Sequence, residues 1–177
     1  MSKSPKIVVS NSTPLIYLAK IGRLELFKKV YEKIHIPEAV FKEAVTQGKA
    51  LNRSDASIIE KAVGNWIVKE QVKPEVDTEF QFLDTNIRLG SGEKEALKLC
   101  KQLNAEYFIV DDKEARRVAR ILDIRPIGTC GALVQAYRQD SITNREALQI
   151  LDELVKAGFR ISPTLYRRIL DELRLSP

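Results

Sequence analysis

The chain has 177 residues, 44% of them hydrophobic, with a formal net charge of +5. That length suits one domain with a proper core, and no apolar run reaches the roughly 18 residues that would suggest a membrane span. The single histidine, His35, excludes a multi-histidine metal centre, and the distant pair Cys100 and Cys130 fits neither a disulfide framework nor a metal knuckle.

The N-terminal stretch MSKSPKIVVS contains too short an apolar core for a signal peptide, so a cytoplasmic location is expected. Strands are predicted at KIVV (6–9), IHIP (34–37), WIVKE (66–70), YFIV (107–110) and IRPI (124–127), from their β-branched and aromatic content and flanking turns. Helical patterning fills the gaps, in PLIYLAKIG, LELFKKVY, EAVFKEAVTQ, DASIIEKAV, GEKEALKLCKQL and EARRVARIL. Strands alternating with helices of this length predict βαβ crossovers and a mostly parallel sheet. Beyond Ile127 the pattern is all-helical, ending in NREALQILDELVKAG and PTLYRRILDEL. Ala147, Leu148, Leu151, Leu154 and Val155 share one predicted apolar face, and Gly158 is placed to stop that helix. Residues 72–90 have the weakest pattern and are expected to form a mobile rim.

In open parallel sheets, sites form beyond the carboxyl ends of the strands. Asp111 and Asp112 directly follow YFIV; adjacent carboxylates there can hold a hard cation, and Asp111-x-x-Glu114 equally suits a capping box. Glu93, in LGSGEKEAL, falls in a first helical turn, where an acid also gains from the helix dipole. Asn11 follows the first strand, with Thr13 as expected N-cap and Pro14 at the first helical position. His35 reads as a strand residue without chemistry. The acidic pair after YFIV looks like the opening of a response-regulator receiver, but no later strand ends in an aspartate, and no strand runs into GxGxxG.

Taken in order, VVSNSTPLI, IPEAVFKEAV and LGSGEKEALKLCKQLNAEYFIVDDKEARRVARILDIRPIGTCGALVQAYRQ resemble the PIN-domain family, more narrowly a stand-alone prokaryotic branch of it. The resemblance implies a three-layer α/β/α sandwich around a short parallel sheet, over residues 1–140, with 141–177 as a helical extension packed on the same domain. It implies a Mg²⁺- or Mn²⁺-dependent ribonuclease acting on RNA, single-stranded above all. A small antitoxin partner and a homodimer come with the same resemblance. The family's first-strand Asp falls on Asn11, its mid-chain Glu on Glu93, and the next Asp on Asp111 or Asp112; its last acid would fall near Gly128-Thr129, where no carboxylate stands.

A carboxylate about 4 Å from a cation contributes several kcal/mol that an amide largely lacks, so Asn11 weakens such a site. The alternative function is therefore a PIN module of weakened or lost catalysis that binds nucleic acid or a protein. Lys113, Arg116, Arg117 and Arg120 share a helical face as a candidate rail for phosphates, and Arg160, Arg167 and Arg168 form a second candidate.

Overall fold

The computed structural model describes residues 6–174. Strands β1 (Val8–Ser10), β2 (Ile34–Pro37), β3 (Ile67–Glu70), β4 (Tyr107–Ile109) and β5 (Arg125–Ile127) form one sheet in the order β3-β2-β1-β4-β5. Every pairing is parallel; Val9 lies opposite His35 on one side and Phe108 on the other. The consecutive residues Val8 and Val9 are fully buried, as are Phe108 and Ile109. Successive strand side chains point to opposite faces, so both faces of the sheet are covered and the α/β/α layering follows.

Helix α1 (Ser12–Lys20) and α2 (Glu25–Tyr31) follow β1, and α5 (Ser54–Ala62) precedes β3 and packs on α1. Between β2 and α5, α3 (Glu38–Phe41), a π-helical stretch (Lys42–Thr46) and α4 (Gln47–Ala50) run on as one irregular helix. Helix α7 (Ser91–Leu103) packs on β2, β1 and β4, and carries α3 and α6 (Pro74–Glu79). Helix α8 (Lys113–Ile121) joins β4 to β5. Beyond β5, α9 (Thr129–Arg138), α10 (Asn144–Lys156) and α11 (Pro163–Arg174) pack on one another. No helix among the described residues is long and apolar enough to cross a membrane.

The strands match their sequence expectations to within two residues. In α10 the buried face is Ala147, Ile150, Leu151 and Leu154, whereas Val155, expected inside, is 41% exposed. Gly158 follows that helix at φ +91°, a conformation glycine adopts without steric cost. The region 72–90 holds α6 and a 3₁₀ turn (Gln81–Thr85), each too short to carry a readable apolar period. Lys98 of α7, only 3% exposed, fastens them through ion pairs to Asp77 (2.7 Å) and Asp84 (2.9 Å).

Candidate functional site

The chain leaves β1 for β2 and β3, then returns to the other side of β1 as β4. A crevice beyond the carboxyl ends of the strands is expected at such a switch point. Asn11 follows β1, Asp111 lies two residues beyond β4, and Thr129 opens α9 two residues beyond β5.

Asn11 is 2% exposed and caps α1 in extended conformation, its backbone N–H donating to the Ile109 carbonyl at 2.9 Å. Helix α1 therefore begins at Ser12, so Thr13 is not the cap and Pro14 stands third, still inside the turn whose N–H groups lack helical partners. The Asn11 side chain makes no capping bond. Its Nδ2 donates to Glu93 Oε1 at 3.2 Å, and its Oδ1 is buried without a hydrogen-bond partner, alone in this among the described residues. Glu93 also accepts from the Gly90 N–H at the start of α7.

The Asp pair divides. Asp112 is the N-cap of α8, accepting from the Ala115 N–H at 2.8 Å, so the expected capping box on Asp111 and Glu114 does not form. Asp111 instead reaches α9, where Oδ1 accepts from the Thr129 N–H (2.8 Å) and Oδ2 from the Thr129 hydroxyl (2.6 Å). Burial pushes the Asp111 carboxyl above its ordinary range, outweighing the Thr129 hydrogen bonds and the Arg116 charge, which pull it down. Burial and Asp111 together push the neighbouring Cys130 thiol up to about 12, which leaves it an inert thiol rather than a soft ligand.

Sequence reasoning missed Glu43. It sits in the π-helical stretch, accepts from the Ser12 hydroxyl (2.7 Å), the Ser91 hydroxyl (3.2 Å) and the Gly92 N–H (2.9 Å), and thereby ties the start of α1 to the start of α7. The carboxylates thus fall into two groups, Glu43 and Glu93 about the start of α7, and Asp111 at the start of α9. All available donors are oxygens, which suits Mg²⁺ or Mn²⁺, and the unpartnered Asn11 Oδ1 suits a cation ligand. Among the described residues, no three Asp, Glu, His or Cys side chains stand together as a metal-holding group.

Beyond Asp111 opens a cleft of about 670 Å³, lined by Lys113, Arg116 and Arg120 of α8 and by Arg160 from the α10–α11 connection. Arg117, expected on the same rail, instead pairs with Glu114 at 2.7 Å. His35 bonds Glu70 on the neighbouring strand, away from these groups.

A family model described as "DUF3368: PIN domain" matches residues 7–174. Among solved structures, the crystal structure of VapC20 from Mycobacterium tuberculosis, a sarcin-ricin loop cleaving toxin, is similar at 11% identity and TM-score 0.48, with 63% of this chain and 94% of that chain covered. No curated protein matches the chain.

Proposed function

Because the chain belongs to the PIN-domain family, we propose that it hydrolyses RNA phosphodiesters with a divalent cation held at the carboxyl edge of β1 and β4. The observation that carries this reading is the buried, unpartnered Oδ1 of Asn11, whose other amide atom already rests on Glu93. Were the amide ends exchanged, two oxygens would stand 3.2 Å apart, a contact that a shared cation makes favourable.

Asn11, Glu93 and Asp111 would hold Mg²⁺ or Mn²⁺, which when bound neutralises charge on the scissile phosphate and lowers the pKa of an attacking water. Asp111 takes this role rather than Asp112, because Asp111 lines the cleft at the strand ends whereas Asp112 is the exposed cap of α8. Thr129 fixes the orientation of Asp111 through two hydrogen bonds. Glu43 keeps the starts of α1 and α7 in register, and so keeps Asn11 beside Glu93. In this reading the protein acts as the toxin of a toxin–antitoxin pair, with a small antitoxin and a second copy of the chain as partners.

A second reading, a nucleic-acid-binding module of weakened or lost catalysis, is favoured by the dispersal of the acids into two groups. Mn²⁺ calorimetry on the parent, Glu93→Gln and Asp111→Asn, with cleavage of labelled single-stranded RNA on the same samples, separates the two. Binding and cutting by the parent, lost in both variants, is the outcome expected of the hydrolase. A parent that neither takes up Mn²⁺ nor cuts RNA overturns it in favour of the binding module.

A further inference from the structure

The cleft beside Asp111 differs chemically from the acidic centre it adjoins. Four cationic side chains line it, Lys113, Arg116, Arg120 and Arg160, against one carboxylate, Asp111. Elsewhere Lys6, Arg23, Lys49, Arg53, Lys69, Arg117 and Arg138 each have a carboxylate within 4.0 Å, while several other surface cations, scattered rather than gathered in one cleft, have none among the described residues. Among the described residues none of the four cleft cations forms such a pair. Arg116 is half-buried, and among the described residues its guanidinium has only the Val110 carbonyl, at a long 3.4 Å, as hydrogen-bond acceptor. Burial, and then the charge of Arg120, hold its pKa below the ordinary value against the opposing charge of Asp111, so an anion between the two guanidinium groups would relieve their repulsion.

Apart from Ser162 and two glycines, the rest of the lining is apolar or weakly polar. Pro126, Ile127 and Leu165 contribute to it, and Leu165 is 39% exposed. Phe159 is locked edge-on against Tyr17, with ring centroids 5.2 Å apart, and makes a rigid wall. A volume of about 670 Å³ lies within the range of about 300–1,000 Å³ usual for ligand clefts. Unpaired guanidinium groups beside an apolar floor suit a phosphate joined to a flat, weakly polar group.

We propose that this cleft is a nucleotide subsite for a single strand of nucleic acid, with a backbone phosphate held by Arg116, Arg120 and Arg160 and its base resting on Ile127 and Leu165. The inference deepens the proposed function, since it assigns the side of the acidic centre along which the strand runs. It also gives the C-terminal helices a direct part in recognition, through Arg160 and Leu165. An acidic protein would find the same cations but would leave the floor between them unfilled.

The test is fluorescence anisotropy of a short 2′-O-methyl RNA, which cannot be cut, measured in EDTA so that no cation contributes. Arg120→Gln with Arg160→Gln is compared with Lys61→Gln and Arg145→Gln, an equal loss of charge at exposed sites outside the cleft. The cleft pair is expected to weaken binding about tenfold or more, and the control pair less than about twofold. Leu165→Ser is expected to weaken the RNA several-fold while leaving inorganic polyphosphate binding unchanged. Equal losses in the two double variants would overturn the proposal in favour of a diffuse field. Leu165→Ser without effect on RNA would overturn it in favour of a surface for any polyanion, acidic proteins included. Because cleavage is not read, a parent that binds here and never cuts removes the hydrolase reading and leaves this one standing.

Discussion

Asn11 donates its amide to Glu93 across 82 residues of sequence, at 3.2 Å, and this bond joins the end of the central strand to the first turn of α7. It gives the half-buried Glu93 carboxylate a hydrogen-bond donor without a cation. Asn11→Asp replaces that donor with a second negative charge. At an effective dielectric near 20 the repulsion costs up to about 4 kcal/mol. Scanning calorimetry in EDTA should show a lowered Tm for Asn11→Asp, and added Mn²⁺ should restore it and leave the parent less affected. A variant as stable as the parent in EDTA would mean that the two side chains do not face one another.

Asp111 presents the opposite case, a carboxyl group whose charged form is disfavoured by burial. Asn in its place can still accept from the Thr129 N–H, and can donate to the Thr129 hydroxyl. Asp111→Asn is therefore expected to raise stability by about 1 kcal/mol while removing any cleavage, the usual opposition between stability and a functional site. Urea denaturation at neutral pH, read beside an RNA cleavage assay, checks both halves. A destabilised Asp111→Asn would show that the Thr129 bonds outweigh the burial.

One part of the pH response away from the site rests on Arg23 and Glu153, which join the α1–α2 turn to α10 through two hydrogen bonds of 3.1 and 3.2 Å. The Arg23 guanidinium holds the Glu153 carboxyl below its ordinary value. The folded protein thus binds this proton less readily than the unfolded chain, so the pair stabilises above the ordinary carboxylate range and is lost as pH falls through the lowered value. Both side chains are about a third exposed, which limits the effect to roughly 0.5–1 kcal/mol. Glu153→Gln should flatten this part of the acid limb in urea titrations between neutral and acid pH; an unchanged limb would mean the pair contributes nothing.

Lys98 staples the α6 region to α7, and its two aspartates are more than half exposed. Lys98→Met leaves an apolar side chain of similar length in the buried position and lets both aspartates hydrate. Hydrogen exchange should quicken over residues 74–85 with little change in global Tm. Unaltered exchange there would show that α6 is held by packing instead.

Glycines separate site effects from fold effects. A Cβ at Gly92 would stand 2.5 Å from Glu43 Oε2, whereas one at Gly48 would stand 2.7 Å from the Ala56 Cβ, between α4 and α5. Gly48→Ala is expected to cost about 1–3 kcal/mol through overpacking and to leave RNA cleavage per folded molecule unchanged. Gly92→Ala should displace Glu43 and reduce cleavage more than stability. Similar activity in the two variants would remove Glu43 from the site.

Much of this architecture could be read from the chain, for identifiable reasons. Strands such as IHIP and YFIV are short apolar runs buried on both faces, and their composition alone marks them. Asn11, Glu93 and Asp111 are legible as candidates because they stand at element ends, where a sheet of this kind concentrates its polar groups. Glu43 escaped because it lies inside a helix beside the buried Ala44 and Val45, where a charged residue reads as the solvent face. Its role depends on a π-helical turn that no 3.6-residue period predicts. The division of labour between Asp111 and Asp112 was likewise hidden, since which of two adjacent carboxylates caps a helix depends on where the first turn begins. The anion cleft needed Arg160, 40 residues beyond Arg120 and brought to it only by the packing of α10 and α11 on α9.

The π-helical stretch Lys42–Thr46 lets this protein absorb a kind of change that most helices do not. A π turn accommodates one residue more than the regular helix around it. Losing a single codon from a regular helix turns everything on one side of the deletion by about 100°. Losing one within Lys42–Thr46 would instead leave an ordinary helix whose two flanks keep their mutual register, so Val40 and Gly48 would stay buried. What would change is the aim of the wide turn itself, and with it the hold of Glu43 on Ser12 and Gly92. Single-residue deletions, harsh lesions inside most helices, should here spare the fold and release the acid, and libraries of such deletions would locate the wide turn without any substitution.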